Sequence, residues 1–205
     1  MSAIVHIIDD DISVLTAMGR SLRADGLDVS LSSTTEEFLA AYDPSVGGCV
    51  VLDLHMPGMD GLQLQQLLFQ RGQRMPLIFV SGSADVPACA SAMRAGAIDF
   101  LTKPVEADVL LAAVMRGIRS DADERSRRSQ QEVAEHSYAC LTPREREVLP
   151  HIIAGRLNKQ IAADLGISLK TTKVHRSRIM QKFGVRSVAG LVRAAGQAHV
   201  EPGHA

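Results

Sequence analysis

Cysteine is scarce in this chain, net charge is almost absent, and no apolar run is long. Three cysteines occur in 205 residues, Cys49, Cys89 and Cys140. They are odd in number, scattered and in no metal-ligand spacing, which argues against a disulfide framework or a zinc cluster and predicts unpaired thiols in a reducing cytoplasm. No uninterrupted apolar stretch approaches the length of a membrane span, and the N-terminus lacks the basic region, apolar core and cleavage site of a leader. The expectation is a soluble cytoplasmic protein. A formal charge of -1 names no partner, but its distribution does: residues 1–120 hold 8 Lys/Arg against 14 Asp/Glu, whereas residues 141–205 hold 11 against 4. An acidic N-terminal part joined to a basic C-terminal part predicts an anion-binding C-terminal domain.

Five short apolar runs, at 4–8, 27–31, 49–52, 77–80 and 98–101, alternate with five helical patterns in the first 120 residues. Spacings this short suit parallel crossovers, and strands apolar nearly throughout suit a sheet covered on both faces, so a doubly wound α/β domain is predicted. Ser13 is placed as the cap of the first helix and Thr34 as that of the second, with Asp11 and Asp60 read as caps or loop residues. Pro87 suits a first helical turn. Asp9 and Asp10 end the first strand, Asp53 the third and Ser81 the fourth; Lys103 follows the fifth. In an open α/β sheet such strand ends share one crevice. Three carboxylates there repel one another, and a hard divalent cation such as Mg²⁺, an oxygen-ligand ion, removes that cost. Lys103 adds a compact positive charge and Ser81 a hydroxyl. A carboxylate held between a cation and a lysine is a nucleophile towards phosphorus, with an acyl phosphate as product. Taken singly, each residue has a plainer reading: a turn aspartate, a surface lysine, a serine in the ordinary turn Ser81-Gly82-Ser83.

The segments Ile8-Asp9-Asp10-Asp11, Leu52-Asp53-Leu54-His55-Met56-Pro57-Gly58-Met59-Asp60-Gly61, Val80-Ser81-Gly82 and Ala97-Ile98-Asp99-Phe100-Leu101-Thr102-Lys103-Pro104 resemble the CheY-like receiver domain of two-component response regulators. The resemblance covers roughly residues 3–120 and implies a flavodoxin-like fold. It implies that Asp53 accepts a phosphoryl group from a phosphohistidine on a sensor kinase. Asp9 and Asp10 would lie in the metal pocket with the backbone carbonyl of His55, and Lys103 would contact the phosphoryl group. Ser81 and Phe100 would form a coupled rotamer switch that alters a dimerising face.

Residues 121–137 are read as a linker, nearly all polar and free of Gly and Pro over 121–132, hence either a solvated helix or a flexible tether. From about residue 138 an all-α domain is predicted. Thr142, Pro143 and Glu145 combine cap, first helical residue and capping box. Pro150 is discordant, since it loses the bond to the Arg146 carbonyl and should kink the helix. Two further helices, from Asn158 and from a Ser168 cap, meet through a Gly166-Ile167 turn and fit helix-turn-helix packing. On the later helix Thr172, His175, Ile179 and Phe183 face inward. Lys170, Lys173, Val174, Arg176 and Ser177 form an outer face suited to the major groove.

Leu141-Thr142-Pro143-Arg144-Glu145-Arg146-Glu147-Val148-Leu149, Gly155, Asn158-Lys159-Gln160-Ile161-Ala162 and Ser168-Leu169-Lys170-Thr171-Thr172-Lys173-Val174-His175-Arg176 resemble the LuxR-type helix-turn-helix, over roughly residues 137–200. With the receiver, the whole chain is similar to the FixJ branch of response regulators (the NarL/FixJ family). The resemblance implies base-edge contacts from Lys173, Val174 and Ser177, nearby backbone contacts from Lys170 and Arg176, and pairing of two domains through the last helix. It also implies a homodimer on phosphorylation, promoter DNA and RNA polymerase as partners, and activation more than repression. Thr172 departs from the family's usual Val. The competing readings are a metal-dependent small-molecule phosphatase with a basic accessory domain, an RNA-binding regulator, and a helical protein-binding module in place of the DNA-binding domain.

Overall fold

The computed structural model describes residues 3–82 and 86–203. Its contacts divide the chain into two compact units, 1–125 and 126–205.

The first unit alternates strand and helix: β1 (Ile4–Ile8), α1 (Ile12–Ala24), β2 (Asp28–Ser32), α2 (Thr35–Ala41), β3 (Gly48–Asp53), α3 (Gly61–Gln70), β4 (Leu77–Ser81), α4 (Val86–Arg94), β5 (Asp99–Thr102) and α5 (Ala107–Ala139). All strand pairs are parallel, in the order β2-β1-β3-β4-β5. The period of two along each strand sends alternate side chains to opposite faces. Val5, Ile7, Cys49, Val51, Ile78 and Val80 pack with Leu15 and Leu22 of α1 and Val114 of α5. Ile8, Val50, Leu52, Leu77 and Phe79 pack on the other side with Phe38 of α2 and Leu64 of α3. Both faces are covered, which is why the strands read as near-continuous apolar runs.

Local corrections are small and have clear causes. Asp11, not Ser13, caps α1: its carboxylate accepts from the amides of Ser13 and Val14 at 2.8 and 3.3 Å. One carboxylate thereby satisfies two of the orphan amides. The expected turn at Ser81-Gly82-Ser83 runs into residues outside those described. Helix α5 passes beyond 118, through the whole polar stretch, to Ala139. Asp121, grouped with the connection by its polarity, is only 6% exposed and accepts from the Gly48 amide at 2.9 Å. Arg125 pairs with Asp121 and donates to the carbonyls of Pro44, Ser45 and Val46 at 2.9, 3.0 and 2.7 Å.

The second unit holds the end of α5 with α6 (Pro143–Ile153), α7 (Asn158–Asp164), α8 (Leu169–Lys182) and α9 (Val188–Gln197) around Leu141, Val148, Leu149, Ile152, Ile161, Ile179, Phe183 and Leu191. The Thr142-Glu145 capping box and Pro143 start α6 as expected. Helix α6 extends through Pro150 to Ile153, and the Pro150 carbonyl accepts from both Ala154 and Gly203, each at 3.1 Å. Thr172 is fully buried, and its hydroxyl donates to the Ser168 carbonyl at 3.1 Å, which satisfies the polar atom within its own helix.

Candidate functional site: an acidic pocket and a basic helix

The strand order reverses on either side of β1, so the ends of β1 and β3 lie next to one another at the switch point where α/β sheets bind ligands. The register pairs Ile8 with Leu52 and brings Asp9 beside Asp53. Asp10, one residue on, turns out to the surface. The carboxylate oxygens of Asp9, Asp10 and Asp53 lie within 4.8 Å of one another. From β5, Lys103 reaches back with its ammonium 2.6 Å from Asp9 Oδ2 and 3.0 Å from Asp53 Oδ1. Its own amide donates to the Ser81 carbonyl at 2.8 Å, which fixes where the side chain starts. Asp53 Oδ2 accepts from the His55 amide at 3.1 Å, and Asp9 Oδ1 from the Asp11 amide at 3.0 Å. The structure thus brings Lys103 against Asp9 and Asp53, with the Asp10 carboxylate beside those two.

Charge in the pocket does not balance, because three carboxylates face one ammonium. Burial pushes the Asp9 carboxyl above its ordinary pKa, even though Lys103 and the Asp11 amide pull it down. Burial also lowers the Lys103 ammonium, but hydrogen bonds and attraction from Asp9 and Asp53 outweigh it and leave the pKa raised, so this lysine is held charged. A buried acidic group next to an exposed one, with oxygen donors alone, suits a hard divalent cation that keeps part of its water shell, as Mg²⁺ does. Asp9, Asp10 and Asp53 are the residues that would hold it. The His55 ring is exposed, consistent with any contribution from that residue coming from its backbone.

Ser81 is fully buried at the end of β4. Phe100 is half-buried in β5, its ring 6.3 Å from that of Phe79. Both lie on strands that border the pocket.

In the second unit, Ser168 caps α8 by accepting from the Thr171 amide at 3.0 Å, and Gly166 supplies the left-handed φ of +63° that the turn after α7 requires. Lys170, Lys173, Val174 and Ser177 are exposed on α8. Arg176 stands apart from them: it is half-buried and donates to Asn158 Oδ1 on α7 at 3.2 Å. Its guanidinium therefore ties the two helices together. A scaffolding residue that sequence reading missed is Lys182, at the end of α8. It donates to Glu145 Oε2 at 2.6 Å and to the Cys140 carbonyl at 2.9 Å. Glu145 was legible only as a capping-box residue; its near-complete burial, 1% exposed, was the signal that it needs a cation.

Residues 5–115 match the response regulator receiver domain family, and residues 139–195 match the luxR family of bacterial regulatory proteins. Response regulator protein TodT of Pseudomonas putida is 40% identical over 192 residues, which is 94% of this chain and 85% of TodT. Transcriptional regulatory protein FixJ of Azorhizobium caulinodans is 39% identical over 198 residues, covering 97% of this chain and 94% of FixJ. Among solved structures, the response regulator StyR superposes with a TM-score of 0.85 at 41% identity, over 96% of this chain and 100% of StyR. Full-length FixJ from B. japonicum gives 0.60 at 33%, over 97% and 98%.

Proposed function

The chain belongs to the two-component response regulators that join a receiver to a LuxR-type DNA-binding domain, a family of transcription regulators, and from that premise we propose that phosphorylation of Asp53 controls its binding to promoter DNA. The observation that carries the reading is the placement of Asp53 between the Lys103 ammonium and the other two carboxylates. Family membership sets the protein among regulators rather than enzymes that turn over small substrates. No described helix is long and apolar enough to cross a membrane.

In this reading an Asp53 carboxylate oxygen attacks the phosphorus of a phosphohistidine on the partner kinase. The new O–P bond forms as the P–N bond breaks, and the released imidazole takes up a proton. The Mg²⁺ ion, when bound, supplies positive charge against the phosphoryl oxygens. Lys103 holds a second positive charge against them from β5, and the Asp11 and His55 amides orient Asp9 and Asp53. Slow attack of water on the acyl phosphate would later return the carboxylate. The phosphoryl group adds charge and acceptor oxygens beside β4 and β5, where the Ser81 hydroxyl and the Phe100 ring would shift together. Phosphorylation matters only through a difference in affinity between two states of the protein, and it favours the one that dimerises. Two linked DNA-binding domains then hold a two-half site more tightly than one does, through effective concentration. Lys173, Val174 and Ser177 meet base edges, and Lys170 lies over the phosphate backbone. The receiver takes residues 1–120 with the turn of α5 that ends at Arg125, and the DNA-binding domain begins near residue 138. The outcome is activation of an operon, with RNA polymerase as a further partner.

The test is promoter-fragment affinity of the full chain, measured by fluorescence anisotropy with and without acetyl phosphate. Phosphodonor is expected to tighten binding at least about tenfold, equivalent to ~1.4 kcal/mol, and Asp53→Asn to remove the response. An equal response in Asp53→Asn would mean that control resides elsewhere.

A further inference from the structure

Helix α3 carries no charged residue: Gly61–Gln70 reads Gly-Leu-Gln-Leu-Gln-Gln-Leu-Leu-Phe-Gln. Its inner side is accounted for, since Leu64 and Leu68 are buried and Gln65 donates to the Ala92 carbonyl of α4 at 3.1 Å. Its outer side is not. Gln63, Gln66, Phe69 and Gln70 face water, with Phe69 69% exposed. A groove of about 420 Å³ runs between α3 and α4, with Leu62 and Phe69 on one wall and Ser91 and Arg94 on the other. On the far side of α3 a second groove, of about 470 Å³, passes Met59 and Leu67, and the two share Gln66. Phe69 therefore stands on a neutral ridge bordered by two grooves. A surface helix ordinarily carries charge on its outer face, and an apolar patch rimmed by polar groups marks an interaction surface.

Charge around the ridge indicates what covers it. Up to residue 60 the chain holds ten Asp/Glu and two Lys/Arg. Over the described residues of 61–98 there are no carboxylates, while Arg71, Arg74 and Arg94 are all exposed. Among the described residues, acidic groups border only the second groove, where Asp60 caps α3 and Glu36 lies beside Gly58, so the cationic side is the α3–α4 groove that Arg94 lines. Arg71 caps the end of α3, and Arg94 closes α4 with only its Nε spent, on the Ala90 carbonyl at 3.1 Å. Among the described residues no carboxylate pairs with any of the three.

We infer that the α3–α4 face of the receiver is a docking surface for an acidic amphipathic helix of another protein, whose apolar stripe receives Phe69 and whose carboxylates meet Arg71, Arg74 and Arg94. A helix laid along a groove offers apolar side chains every three to four residues, the spacing a single ridge with flanking grooves can accept. Complementary charge sets its orientation and excludes basic helices. Nothing in this inference depends on the chemistry of Asp53.

The test uses the full chain, isotope-labelled, and two synthetic helical peptides with the same Leu/Phe stripe, one with Glu on its polar face and one with Lys. The acidic peptide is expected to shift amide resonances of α3 and α4, and the lysine peptide to leave them in place. Phe69→Ser and Arg94→Glu should each weaken the acidic peptide about tenfold or more, with acetyl phosphate labelling unchanged as the control for folding. Four results would overturn the inference: no shifts on α3 and α4, equal binding of the lysine peptide, indifference to both substitutions, or displacement of the same resonances by duplex DNA instead.

Discussion

Lys182→Met tests whether the buried pair at the base of α8 holds the DNA-binding unit together. The substitution keeps an aliphatic stem but leaves the Glu145 carboxylate, 1% exposed, with the Thr142 amide of the capping box, at 2.9 Å, as its hydrogen-bond donor. Removing one member of a fully buried pair costs about 3–5 kcal/mol, because the other charge is stranded. The Lys182 side chain is 32% exposed, so water reaches the vacated position and the expected cost falls to about 2 kcal/mol. Glu145→Gln keeps an acceptor for Thr142 and removes the charge, so the double variant should lie within about 1 kcal/mol of the native chain. Amide hydrogen exchange at Leu149 and Ile179 in the full chain reads the opening of this unit. Acidification supplies an internal check. Burial would raise the Glu145 carboxyl, but Lys182 and Thr142 outweigh it and hold its pKa below the ordinary value. A depressed carboxyl contributes stability that is present above its unfolded pKa and is lost as pH falls through the folded one. The gap between native chain and Lys182→Met should therefore close across that acidic window. A single variant no less stable than the double, or a gap that ignores pH, would show that the Lys182–Glu145 pair does not hold this unit together.

Lys173→Ala should weaken specific operator binding by about 1–3 kcal/mol while leaving hydrogen exchange of the α6–α9 core unchanged, and Lys170→Ala should reduce the salt dependence of binding by roughly one counterion; anisotropy titrations at several salt concentrations check both. Asp121→Ala strands the buried Gly48 amide and frees Arg125, so it should cost about 1–3 kcal/mol, read as faster exchange at Gly48 and along β3. Unchanged protection there would show that this turn of α5 is an ornament of the receiver rather than part of it.

The sheet and the acidic pocket were readable in the sequence because both follow from local pattern. An apolar run locates a strand, the polar residue after it lies at the strand's end, and parallel α/β topology gathers those ends. Asp9, Asp53 and Lys103 needed no further information. Long-range polar partnerships were not readable. Asp121 and Gly48 are 73 positions apart, and Lys182 and Glu145 are 37. Polarity alone therefore assigned Asp121 to a solvated connection. Arg176 likewise has a partner that its own helix does not show, since Asn158 Oδ1 on the neighbouring helix accepts from its guanidinium. Thr172 looked like a flaw in an apolar stripe, and the Ser168 carbonyl one turn earlier resolves it. The exposed Phe69 ridge was hidden for a different reason, since its leucine-rich pattern reads as core and only burial separates the inward residues from the outward one.

The most direct measurement is the site of phosphoryl labelling when the full chain is incubated with acetyl phosphate and Mg²⁺, mapped by mass spectrometry. One acyl phosphate is expected, on Asp53, cleaved by base and by hydroxylamine, absent from Asp53→Asn and absent when the divalent cation is chelated. Label on another residue, or label that persists in Asp53→Asn, would contradict it.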